Sequence, residues 1–115
     1  MLFTAAAMVN YTHDGDTQSL TVIPWTEMIL GPHDNRLYGI NCPELATPEG
    51  KVARDFAKAW IAQHSPPGVI WPFLWEHHGY EKYGRWLGRL IAVDTKECLN
   101  DALISSKNAV VYLPK

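Results

Sequence analysis

Tyr11-Thr-His-Asp-Gly-Asp-Thr-Gln-Ser-Leu20 carries the first decision about the fold. Asp14-Gly15 is a strong two-residue hairpin signal, because both residues accept the backbone conformations that tight turns need. Leu2–Thr12 ahead of it reads as a strand. Thr17–Ile23 behind it alternates apolar Leu20 and Val22 with polar Ser19 and Thr21, and so returns antiparallel. Pro24 is expected to stop this second strand, and a loop through Gly31-Pro32 leads into a third near Asn35–Ile40.

Thr47-Pro48-Glu49 has the form of a helix start: Thr as N-cap, Pro at the first position and an acid in the first turn. Val52, Phe56, Ala59, Trp60 and Gln63 follow helical spacing, and Ser65-Pro66-Pro67-Gly68 ends the helix. Val69–Glu76 reads as a strand with Val69, Trp71, Phe73 and Trp75 on one face and Pro72 on the other, at an edge or bulge. His77–Gly84 is a polar loop and Trp86–Val93 a fifth strand. A short helix over Leu99–Lys107 follows, with Leu99, Ala102 and Leu103 inward and Asn108 as a left-handed cap, before an extended Ala109–Leu113. Three strands, helix, two strands, helix is the order of an α+β, mainly β fold: an OB-type five-stranded Greek-key barrel with two to three short helices. Other α+β folds share that order.

At 115 residues the chain is a single domain, 1–115, with material for one core. A composition 47% hydrophobic and 19% charged is globular and excludes wholesale disorder. The net charge of −2 argues against a general polyanion-binding surface, so nucleic-acid affinity would need a local patch, for which Lys82, Arg85 and Arg89 are the candidate run. Cys42 and Cys98 form no Cys-x-x-Cys pair and read as free, partly buried thiols, which suits a reducing, cytoplasmic setting. The N-terminus lacks a basic leader region, and no segment has membrane-spanning length.

Arg36-Leu-Tyr-Gly-Ile-Asn-Cys-Pro-Glu44 sets an arginine and a carboxylate at the two ends of a short apolar strand. With Asp14-Gly-Asp-Thr17 and Lys82-Tyr-Gly-Arg85, it makes three separated charged sites on an otherwise apolar scaffold. Converging, they would form a phosphate-and-cation site. Each has a plainer reading alone: Asp14–Thr17 as a turn, Arg36 as an ion-pair partner of Asp34 or Glu44, and Lys82–Arg89 as a solvated face. Glu76-His77-His78 resembles a metal cluster, but neighbours on a strand point to opposite faces, and an exposed turn is expected there. The Trp71, Phe73 and Trp75 stripe is read as core.

Asp14-Gly-Asp-Thr17, Arg36–Glu44, Tyr83-Gly-Arg-Trp-Leu-Gly88 and Leu99-Asn-Asp-Ala-Leu103, in that order, resemble the thermonuclease family of staphylococcal-nuclease-like phosphodiesterases. The resemblance covers roughly Val9 to Tyr112. It implies a five-stranded OB-type barrel and calcium-dependent hydrolysis of single-stranded DNA or RNA. It further implies Asp16, Asn41 and the backbone carbonyl of Cys42 as calcium ligands, Glu44 as the base that activates water, and Arg36 and Arg85 as the phosphate clamp. Lys82, Tyr83 and Tyr112 would contact a neighbouring nucleotide.

Asn41 departs from the family pattern, which has a carboxylate there. A neutral oxygen preserves ligand geometry and weakens the attraction for a cation, so weak calcium binding completed by substrate phosphate is expected. The longer C-terminal helix of larger family members is absent before Lys115, which leaves a face that a weak homodimer would cover; a monomer is the alternative. Two rival functions stand beside the nuclease: a non-catalytic nucleic-acid-binding module on the same fold, and a protein-interaction domain.

Overall fold

The computed structural model describes residues 3–25 and 27–113. The chain turns at Gly15-Asp16, one residue after the expected Asp14-Gly15, joining β1 (Thr4–Asp14) to β2 (Thr17–Trp25) in antiparallel register with Asp14 opposite Thr17. Leu2, the expected start of β1, lies outside the described residues. Buried Gln18 holds the turn from beneath, its amide donating to the Gly15 carbonyl at 3.2 Å.

β3 runs from Met28 to Leu37, β5 from Phe73 to Tyr80 and β6 from Trp86 to Ala92. With β1 and β2 they close a barrel in the order β1-β2-β3-β6-β5, antiparallel throughout except for the parallel β3–β6 pair. This is the OB-type, mainly β architecture, carrying two helices among the described residues. β4 (Ile40–Asn41) and β7 (Val110–Val111) form a separate two-stranded ribbon. Leu20, Val22, Leu37, Phe73 and Leu90 fill the barrel, and Leu99 and Leu103 of α2 (Leu99–Ser105) join the same core. Full burial of each such side chain contributes about 1.5–3 kcal/mol.

α1 (Pro48–Gln63) starts where expected: the Thr47 hydroxyl accepts the Gly50 N–H at 3.0 Å and donates to the Glu44 carbonyl at 2.7 Å. Its inward face matches expectation in part. Trp60 is buried and Phe56 packs half-buried against the core, while Val52 and Ala59 are exposed and Gly50, Ala53 and Ala57 are buried in their place, the small residues lying where α1 packs on β1.

Several strand boundaries differ from expectation. Pro24 does not stop β2, and Gly31-Pro32 lies within β3; register shifts between Leu20 and Val22 and between Val22 and Trp25 absorb the prolines as bulges. Val69 and Trp71 precede β5 rather than belonging to it, and only Phe73 and Trp75 of the expected stripe are buried. β5 instead continues through His77 and His78. That segment is therefore not an exposed turn: half-buried His78 bonds Glu76 at 2.8 Å and stacks on Tyr38 at 4.1 Å. Lys107, not Asn108, takes the left-handed conformation after α2, at φ 65°. Both cysteines are free and buried, as read. Among the described residues no helix is long and apolar enough to cross a membrane.

Candidate functional site

Barrel register decides which charged residues meet. Thr17 on β2 stands opposite Arg36 on β3, and Arg36 stands beside Leu87 on β6, two positions after Arg85. The Leu37 N–H donates to the Asp16 carbonyl at 2.8 Å and fixes this corner. The buried Asp16 carboxylate then accepts the Cys42 N–H at 3.0 Å, drawing the end of β4 against the hairpin. Asp16, the Arg36–Cys42 stretch with Asn41, and Arg85, from three separate parts of the sequence, thus reach one end of the barrel.

Arg36 is tightly engaged there. Its Nη1 donates to the Ile40 carbonyl at 3.1 Å, and its Nη2 donates to Asn41 Oδ1 at 2.8 Å while lying 3.7 Å from Asp16 Oδ2. The expected partners Asp34 and Glu44 are not those it meets: Asp34 bonds His13 at 3.0 Å. Arg85 Nη1 donates to the Thr17 hydroxyl at 3.3 Å and Nη2 to Glu81 Oε2 at 3.2 Å. The Glu81 carboxylate also accepts the backbone N–H groups of Tyr83 (2.7 Å) and Arg85 (3.1 Å). Hydrogen bonding to Arg85 holds the Glu81 carboxyl below its usual range, and the same bond holds Arg85 more firmly protonated. Glu81 is the residue that the sequence reading missed; a carboxylate four positions before an arginine in a Gly-containing loop was the available signal.

The basic run Lys82, Arg85 and Arg89 is not three free cations. Arg89 is paired with Asp101 at 2.9 Å and lies 3.7 Å from Glu76, so two of the three charges are already matched. An open cleft of about 510 Å³ is lined by Arg36, Asn41, Lys82 and Tyr112, together with Tyr38, Tyr80, Glu81 and Leu87. The Arg36 guanidinium lies 5.8 Å from the centroid of the Tyr112 ring, and the Tyr112 N–H is fixed to the Gly39 carbonyl at 2.8 Å. Tyr83 lies in a neighbouring cleft beside Arg85. Glu44 is exposed just ahead of α1, and among the described residues its carboxylate has no hydrogen-bond or ion-pair partner.

Asp14 Oδ1 accepts the Asp16 N–H at 3.1 Å, and the two carboxyl groups interact. Burial, then the hydrogen bond and the charge of Asp16, raise the Asp14 carboxyl from 3.8 to about 6. The folded state therefore holds this proton more tightly than the unfolded chain. Stability is favoured below about pH 4, falls as pH rises from about 4 to 6, and carries the full deficit above that. Asp14→Asn is accordingly expected to raise stability by about 1 kcal/mol at pH 7, after allowance for solvent screening, and by nothing at pH 4. Urea denaturation at the two pH values measures the difference.

The same acid pair bears on cation binding. Among the described residues no group of three or more His, Cys, Asp or Glu side chains is placed to hold a metal. Asp14 and Asp16 with the Asn41 amide are all-oxygen donors, a set that fits a hard cation in chemical type. Arg36 Nη2 already bonds one member of the set and lies near another, so part of the negative charge is met without a metal. Cys42 is no competing thiolate donor, since burial, with Asp16 and Asp14 nearby, pushes its thiol up to about 12. Neither the models of known protein families nor the curated proteins compared with this chain match it.

Proposed function

We propose that this protein is a small divalent-cation-dependent phosphodiesterase acting on single-stranded DNA or RNA. The observation that carries the reading is that two guanidinium groups are held against adjoining residues of one hairpin. Arg36 reaches Asp16, and Arg85 reaches the adjoining Thr17, beside an open cleft. The ordered motifs that resemble those of thermonucleases favour the same reading.

Each residue's part follows from its chemistry. Planar guanidinium groups engage two phosphate oxygens at once and stabilise charge growing on them during in-line displacement. Arg85 is pre-aimed by Glu81, and Arg36 by the Ile40 carbonyl and Asn41, so little reorganisation accompanies substrate binding. Exposed Glu44 is free to accept a proton from the attacking water. Lys82, Tyr38 and Tyr112 would hold the neighbouring nucleotide in the cleft. Asp16, Asn41 and the Cys42 carbonyl, with Asp14 nearby, would hold calcium weakly; when bound, it supplies Lewis-acid polarisation of the phosphate.

Incubation of purified protein with single-stranded DNA and RNA, in millimolar calcium or magnesium and in chelator, tests this reading. Cleavage in cation alone is expected, and no cleavage of either polymer in any cation ends the enzyme reading. Glu44→Gln is expected to slow turnover by about 10²–10⁴-fold with the fold unchanged. An undiminished rate removes Glu44 as the base. Asn41→Asp restores a charged ligand and is expected to lower the calcium concentration at half-maximal rate; an unchanged requirement means position 41 holds no metal.

One observation favours a second reading, a nucleic-acid-binding module without catalysis. The Asn41 oxygen is already committed to Arg36, and Asn41 is exposed. Binding of single strands without cleavage in any cation decides for that alternative.

A further inference from the structure

Beyond Arg85, away from the cleft of Arg36 and Lys82, lies a second cleft of about 380 Å³. His33, Asp34, Tyr83 and Arg85 line it, so the Glu81–Arg85 loop separates two clefts and Lys82 and Arg85 belong one to each. Resting on the phosphodiesterase reading, the geometry points to this second cleft as a stacking subsite for the base of a nucleotide on the other side of the scissile phosphate. The substrate is then a single-stranded polynucleotide spanning both clefts, not a mononucleotide ester.

Two aromatic rings make the subsite. His33 is exposed, lies 4.7 Å from the buried Trp86 ring at a tilt of 36°, and bonds the Gly84 carbonyl through a ring nitrogen at 2.9 Å. An outward imidazole is thereby backed by a core indole and tied to the loop. Tyr83 is 80% exposed, yet its backbone is pinned by the 2.7 Å bond to Glu81. The Lys82 ammonium lies 5.5 Å from the centroid of its ring, and most of the side chain is open to water. Both rings flank the cleft that contains Arg85.

Charge differs between the clefts. Arg36 and Lys82, with Glu81, line the first and leave it net positive, which suits a further phosphate. In the second, the Arg85 charge is offset by Asp34, itself bonded to His13 at 3.0 Å, so beyond the phosphate that Arg85 clamps it suits a neutral base. A base stacked on these rings must be free of its own neighbours, which single strands allow and duplexes resist.

Binding in chelator separates affinity from cleavage. Fluorescence anisotropy of a labelled thymidine octamer, with thymidine 5′-monophosphate as a second ligand, supplies the measurement. His33→Ala is expected to weaken octamer binding by roughly 5- to 150-fold, the span of one lost base–aromatic stack, and to leave mononucleotide affinity unchanged. Tyr83→Ala is expected to weaken the octamer within the same range, and His33→Phe to retain most of the affinity. Octamer binding unaltered in both alanine variants overturns the subsite and leaves the phosphodiesterase reading standing. Equal loss of octamer and mononucleotide in His33→Ala also overturns it, since a local stack cannot weaken the other cleft. Failure of the unaltered protein to bind either ligand removes the subsite and the nucleic-acid reading together.

Discussion

Arg85→Ala is expected to slow phosphodiester cleavage by about 10²–10³-fold while the barrel stays folded. Arg85 stands immediately before β6 and is partly exposed, so its loss opens no core cavity. Its loop keeps its shape, because the Glu81 carboxylate retains the backbone N–H groups of Tyr83 and residue 85. What disappears is a preset donor: the guanidinium is held between the Thr17 hydroxyl and Glu81, beside the corner that Arg36 shares with Asp16. Arg85→Lys is expected to recover little, since an ammonium group cannot engage two phosphate oxygens in one plane. Single-turnover cleavage of a single-stranded oligonucleotide, with a thermal melt as the control, measures the effect. A rate within threefold of the parent and an unchanged cation requirement would mean that the phosphate is clamped elsewhere.

The parts of this molecule written in local chemistry were legible before its structure. Asp14-Gly15 signals a hairpin and Thr47-Pro48-Glu49 a helix start; the helix begins where read, and the hairpin forms with its turn one residue later, at Gly15-Asp16. The α1 face was legible only at its large residues, Trp60 and Phe56; Gly50, Ala53 and Ala57 are buried too, and small side chains leave little trace in a hydrophobic pattern. Pro24 and Pro32 signalled breaks that bulges absorbed, a tertiary accommodation that no local propensity encodes. At the candidate site the residue types were readable, but their partners were not. Arg36 meets Asp16 and Asn41 only because β2, β3 and β4 converge, and Glu81 acquires a positioning role only through the fold of its loop. Pairing across strands is a long-range outcome, so charge in sequence showed candidates without showing contacts.

Gly50→Ala is expected to destabilise the protein by about 2–3 kcal/mol, although helix propensity alone predicts a gain of about 1 kcal/mol. Gly50 lies buried in the first turn of α1, and a Cβ there would collide with the carbonyl group of Glu44 and come within 2.9 Å of the Leu45 Cα. These are backbone atoms, so no side-chain rotation relieves the clash. Nor is the Glu44 carbonyl free to retreat, since it accepts both the Thr47 N–H at 3.0 Å and the Thr47 hydroxyl at 2.7 Å. Movement would also pull the Gly50 N–H from its 3.0 Å bond to Thr47 Oγ1, and a lost N-cap bond costs about 0.5–2 kcal/mol. Overpacking adds about 1–3 kcal/mol, which together outweighs the propensity gain. The substitution acts on function through the same contact, because the backbone it displaces carries Glu44. Cleavage by the folded fraction is therefore expected to fall further than unfolding explains. Urea denaturation beside Ala59→Gly, which alters propensity at an exposed position of the same helix, isolates the steric contribution. A Gly50→Ala protein as stable as the parent would show that the Glu44–Leu45 backbone yields freely, and Glu44 would then not be held in place by α1.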